Sequence, residues 1–113
     1  MIDQERAEKA VEYMISTAGK LGTAKAEAVR AEAMLRHIKA LGMKSSDEKS
    51  AAAQEREAYA SDAYLVAIDD LFAATRDAET LKAEREAAQA TIEFWRSVNA
   101  SQNAAQRGFG SAR

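Results

Sequence analysis

A chain of 113 residues with no proline, five glycines and 27 alanines has the length of one domain and the composition of helix, because proline breaks helix interiors, glycine weakens them and alanine costs least there. Its 16 basic and 18 acidic side chains leave a formal net charge of −2, which excludes strong attraction to nucleic acid by net charge alone. The absence of cysteine excludes disulfides, thiolate metal sites and cysteine nucleophiles together, and suits a reducing compartment.

Residues 4–18 place Ala7, Val11, Met14 and Ile15 at helical spacing, and the two glycines of GKLG (19–22) predict its end. Thr23 is a candidate N-cap for a second helix over 23–41, with Ala24, Ala28, Ala31, Leu35 and Ile38 forming a heptad-like seam. Gly42 is the expected stop. Ser45 followed by Glu48 has capping-box form and predicts a third helix over 46–59. A further cap signal at Tyr59-Ala60-Ser61-Asp62 predicts a break or a kink. From Asp62 the period of Tyr64, Ile68, Leu71, Phe72, Ala78, Leu81, Ala88, Ile92, Trp95 and Val98 continues without a breaker, so one long helix is expected over 62–103. Residues 104–113 then read as a flexible basic tail. Aromatics make up only 6% of the chain, so each helix offers a thin apolar stripe. The expected fold is all-α, a single helical domain over 1–103 forming a hairpin with one long C-terminal helix, and self-association would supply the missing burial. Leu35, Ile38, Leu71, Phe72, Leu81, Ile92 and Trp95 are the candidate interface of a homo-oligomer.

Charge is unevenly distributed. Residues 20–44 carry Lys20, Lys25, Arg30, Arg36, Lys39 and Lys44 against Glu27 and Glu32; residues 45–95 carry twelve acids against five bases; Arg96, Arg107 and Arg113 end the chain without an acid. On a helical wheel Lys25, Arg36 and Lys39 form one stripe and Arg30, His37 and Lys44 another, flanking the apolar seam. Such stripes could neutralise a phosphate backbone, or could be ordinary solvated side chains.

Catalytic chemistry is not indicated. His37 is the only histidine, with no spaced metal-ligand partner, and adjacent acids such as Asp69 and Asp70 diverge on a helix. No phosphate loop, nucleophile elbow or H-E-x-x-H is present, so neither enzyme activity nor a metal or cofactor is expected. Phe94, Trp95 and Arg96 are consecutive, so at most two share a face; Trp95 is in phase with Leu81, Ala88 and Ile92, which predicts packing and not base stacking. Phe109, in RGFG, resembles the RGG-type single-strand binders in one copy only. The opening MIDQERAEKA has no apolar h-region and no stretch approaches a membrane span, so a cytoplasmic location without membrane contact is expected.

The segments EKAVEYMISTAGK, AEAMLRHIKALGMK, EREAYASDAYL and AAQATIEFWRSVNASQ together resemble the UvsY-type recombination mediators, small phage-encoded helical proteins. In that family a helix ending in an L-K-A-R-L-D-Y-Y-like segment precedes a loop, and a later long helix completes a hairpin that assembles into a ring. The matching segment here is Met34 to Leu41. Leu35 and His37 stand at the family's lysine and arginine positions, Ala40 and Leu41 at its aromatic pair, and the basic groups are Arg36 and Lys39. The resemblance implies an oligomer in the host cytoplasm that binds single-stranded DNA and loads a recombinase while displacing a single-strand-binding protein. On this reading Lys25, Arg30, Arg36, His37, Lys39 and Lys44 meet the strand, with Arg96 and Arg107 as secondary contacts. Two alternatives remain open: a protein-binding module, such as a phage inhibitor or adaptor whose acidic long helix occupies a basic groove, and a structural phage component.

Overall fold

The computed structural model describes residues 2–111, with side chains described as far as Gly108. The fold is an all-α helical hairpin with a long C-terminal helix, 91% helical and without strands among the described residues. Its elements are α1 (Gln4–Lys44), α2 (Ala51–Tyr59) and α3 (Asp62–Ser111).

Each helix starts on a side-chain cap. Asp3 Oδ1 accepts from the Arg6 amide at 2.9 Å, and Ser50 Oγ accepts from the Ala53 amide at 3.1 Å. Ser61 Oγ accepts from the Tyr64 amide at 3.2 Å while donating to the Ala58 carbonyl at 2.7 Å. One serine therefore ends α2 and begins α3, so that of the two outcomes expected at 59–62, a break or a kink, the chain takes the break; these contacts satisfy donors that the first helical turn leaves unpaired.

Three boundaries differ from the sequence expectation. Helix α1 runs through GKLG without interruption: Gly19 and Gly22 have ordinary negative φ, and each costs about 1 kcal/mol of helix propensity, which packing on both sides of them offsets. Helix α2 begins at Ala51 and not at 46, because the earlier serines close the connection instead. Ser45 Oγ donates to the Gly42 carbonyl, and Ser46 Oγ accepts from the Glu48 amide and donates to Glu57. Helix α3 continues through 104–111, the stretch expected as a tail; Ala112 and Arg113, and the side chain of Phe109, lie outside the described residues.

The chain divides into two compact units, Met1–Gly19 with Leu81–Arg113, and Lys20–Thr80. In the first, α1 and α3 run antiparallel. Ala7, Ala10 and Thr17 are buried, and Trp95 and Ile92 share a groove with Ala7 and Val11. Arg85 fastens this pair: its Nη1 donates to the Met14 carbonyl at 2.7 Å and to Thr17 Oγ1 at 2.5 Å, while Tyr13 donates to Glu84 at 2.7 Å. Arg85 and Glu84 are thus spent on contacts between helices.

In the second unit α1 and α3 are again antiparallel, with Glu27–Ile38 alongside Ala63–Ala74, and α2 packs against the end of α1. The buried residues are Ala58, Ala67 and Ala78. A Cβ on Gly42 would lie 2.9 Å from Ala58 Cβ and 3.1 Å from its Cα, so Gly42 is not the predicted helix stop but the point where α1 and α2 approach most closely. Tyr59 and Tyr64 meet edge to face at 5.1 Å between ring centroids, a favourable arrangement of the two quadrupoles. Among the described residues nothing larger than threonine is buried. Alanine seams let helices approach closely but remove little apolar area per residue.

Candidate nucleic-acid interface

The six basic or imidazole side chains predicted on residues 25–44 all belong to α1 in the Lys20–Thr80 unit, and the structure separates them into two groups. The inner face of α1 is marked by the half-buried Ala24, Ala28, Ala31, Leu35 and Ile38. Arg30, His37 and Lys44 are exposed and seven residues apart; two helical turns return each to nearly the same direction, away from that inner face. They form a row about 21 Å long, with Ala33 and Ala40 between them; Glu27, one turn before Arg30, borders its first end. Among the described residues none of the three forms an ion pair. Arg30 also borders a groove of about 330 Å³ between α1 and α3, beside Met34 and Asp70.

The second stripe is engaged within the protein. Arg36 Nη1 lies 3.6 Å from Glu32 Oε1, a pair one helical turn apart. Lys39 Nζ lies 3.5 Å from Glu55 Oε1 and 4.7 Å from the centroid of the Tyr59 ring, so it ties α1 to α2. Lys25 is exposed on the same side as Glu32. Of this stripe, two cations out of three face a carboxylate.

Arg96 and Arg107 belong to the other unit. Arg96 borders the groove that Trp95 and Ile92 share with Glu8 and Glu12, and Arg107 lies beside Asn103 and Gln106. The predicted interface residues Leu35, Ile38, Leu71, Leu81, Ile92 and Trp95 are all half-buried within the chain, whereas Phe72 is exposed. Among the described residues no group of three histidine, cysteine, aspartate or glutamate side chains could hold a metal ion, and no helix is long and apolar enough to cross a membrane.

Two groups that join the helices titrate above their ordinary values. The Tyr59 hydroxyl, and after it the Glu55 charge, hold the proton on Lys39 against an opposing desolvation. Accepting the hydrogen bond of Tyr13 makes Glu84 raise that phenol. A group whose folded pKa exceeds its unfolded value stabilises fully below the unfolded value, and that contribution is lost as pH rises through the folded one. With ordinary values of 10.0 for Tyr13 and 10.5 for Lys39, thermal stability should hold to about pH 10 and fall above it. Tyr13→Phe should flatten part of that fall, as thermal melts across pH 8–11.5 would show; a wild-type profile that stays level through this range contradicts both contacts.

The ion pair of Lys39 with Glu55 and its contact with Tyr59 are what the sequence reading missed, because they depend on where α2 docks. The only local signal was the spacing of Glu55 and Tyr59 at i, i+4, which places them on one helix face. Compared with known proteins, the chain matches no family profile, no curated protein and no solved structure.

Proposed function

We propose that the chain is a non-enzymatic accessory protein that binds single-stranded DNA along the outer face of α1. The observation that carries this reading is the exposed row of Arg30, His37 and Lys44, none of which is held in an ion pair among the described residues, unlike Arg36 and Lys39. The resemblance to UvsY-type mediators supplies the biological setting: a phage-encoded protein in the host cytoplasm that presents the strand to a recombinase and displaces a single-strand-binding protein.

The mechanism is electrostatic. Arg30 and Lys44, about 21 Å apart along a straight helix, meet phosphates of a flexible strand, with His37 between them as a hydrogen-bond partner, and such a strand can adjust its backbone to the row as a stiff duplex cannot. Contacts of this kind position a nucleic acid without reading its sequence, so binding should be indifferent to base composition. Released counterions supply most of the favourable free energy. Lys25 lies in the other stripe on the side of Glu32, and Arg36 and Lys39 would first have to leave Glu32 and Glu55, so all three are secondary.

Fluorescence anisotropy of a labelled oligothymidylate tests the reading. Neutralising two to three phosphates predicts a slope of log affinity against log salt of about −1.4 to −2.1, with weaker binding to a duplex of equal length. No binding at low salt removes this function. The exposed acids of α3, such as Asp69, Asp70 and Glu79, would then favour a module that docks on a positively charged protein.

A further inference from the structure

We infer that the outer face of α3 in the Lys20–Thr80 unit is a two-fold self-association surface, on which a second copy of this chain packs antiparallel. Leu65, Ile68 and Phe72 are 57%, 42% and 67% exposed. Offsets of three and seven residues hold them within about 60° of one another on the helix. The inner face of the same segment is marked by buried Ala67 and Ala78 and half-buried Leu71 and Ala74, so the three point away from α1. Single exposed apolar side chains are ordinary, but a contiguous stripe of large ones is the signature of a contact surface.

The charges beside the stripe select its occupant. Asp62, Asp69 and Arg76 follow one edge at seven-residue spacing, in the order negative, negative, positive. A two-fold axis crossing the stripe between Ile68 and Asp69 sets this edge against the same edge of the second copy, reversed in direction. Asp62 then meets Arg76 of the second copy, Leu65 meets its Phe72, and the same contacts recur on the other side of the axis, as an isologous interface requires. Two attractive pairs outweigh the single approach of Asp69 to its own copy. Parallel two-fold packing would instead set this edge against the opposite one, at Tyr64 and Thr75, and form no such charge pairs, and a partner of uniform sign would match only one end. Arg76 can turn toward the second copy because its present partner, the adjacent Asp77 at 3.5 Å, is an exposed pair, and such pairs contribute little.

Sedimentation equilibrium without nucleic acid, at low salt and micromolar to submillimolar protein, tests the surface. The wild type should dimerise and Phe72→Glu should be monomeric. Arg76→Glu, which turns both attractive pairs into repulsive ones, should weaken dimerisation about tenfold. Asp62→Lys combined with Arg76→Glu should recover most of the loss, with circular dichroism confirming unchanged helix content in each variant. A wild type that stays monomeric, an Arg76→Glu variant that dimerises normally, or a double variant no better than the single one overturns the proposal. Higher assemblies insensitive to Phe72→Glu would overturn it as well.

Discussion

Replacing Ala58 by leucine should detach α2 from the rest of its unit. Ala58 is 1% exposed, and the helix opposite already comes so close that a single added carbon on Gly42 would lie 2.9 Å from its Cβ. Three more carbons cannot enter this contact without moving a backbone. Overpacking of this kind costs about 1–3 kcal/mol, and here the strain has an obvious outlet. Helix α2 has nine residues, too few to be stable by itself in water, so it survives only while Ala58 and Lys39 hold it. Hydrogen exchange should show amides 53–60 losing protection while those in the middle of α3 keep theirs. Gly42→Leu should reproduce the effect from the other side. Gly42→Ala, with only one carbon to place, should give a milder form. Unchanged protection in all three variants would mean that α1 and α2 do not approach as described.

Truncating Trp95 to alanine should loosen the first unit. The indole lines the groove with Ala7, Val11 and Ile92, and it is the largest apolar side chain where the start of α1 meets α3. Buried Trp→Ala substitutions cost about 3–5 kcal/mol; a half-buried ring should cost about 2. For a domain of this length that corresponds to a fall in Tm of about 8 °C. Exchange should speed first in residues 5–18 and 85–98. Binding to a strand should be unaffected at temperatures where the variant is folded, because no cation of the α1 row belongs to this unit. A variant that melts like the wild type but binds DNA poorly would make Trp95 a stacking residue and reverse its assignment.

Much of the fold was legible because its determinants are local. Alanine content and the lack of proline give helix; Ser61 gives the break before Asp62; the phase of Trp95 with Leu81, Ala88 and Ile92 gives its inward direction. The errors arise where tertiary contacts override local preference. Gly19 and Gly22 look like stops, yet α1 passes through them because α3 supports both flanks. Ser45 and Glu48 have the spacing of a capping box, but Ser45 bonds back to Gly42 and Ser50 caps the helix instead. Gly42 resembles a helix terminator, and its actual use is the space it leaves for Ala58.

The candidate site divides in the same way. That Arg30, His37 and Lys44 share one face follows from their seven-residue spacing, and so does the separate direction of Lys25, Arg36 and Lys39. Local sequence also hints that Glu32 can reach Arg36. It cannot show that Lys39 is spoken for, since Glu55 comes from a helix whose docking depends on a glycine–alanine contact. The exposed Leu65, Ile68 and Phe72 were similarly masked: Ile68 and Phe72 fit the long apolar period of α3, and only the position of α1 reveals that the period contains two faces.

Strand binding by charge-reversed pairs tests the central claim most directly. Labelled oligothymidylate should be titrated at low salt with Arg30→Glu plus Lys44→Glu, and in parallel with Arg36→Glu plus Lys39→Glu, each checked for helix content. The first pair, on the row without ion pairs, should lower affinity at least about tenfold and flatten the salt dependence by more than one unit of slope. The second pair, taken from cations already facing Glu32 and Glu55, should change affinity less. Equal affinity for wild type and the Arg30–Lys44 variant, or a larger loss from the Arg36–Lys39 variant, would contradict the assignment of the outer face of α1 as the strand-binding surface.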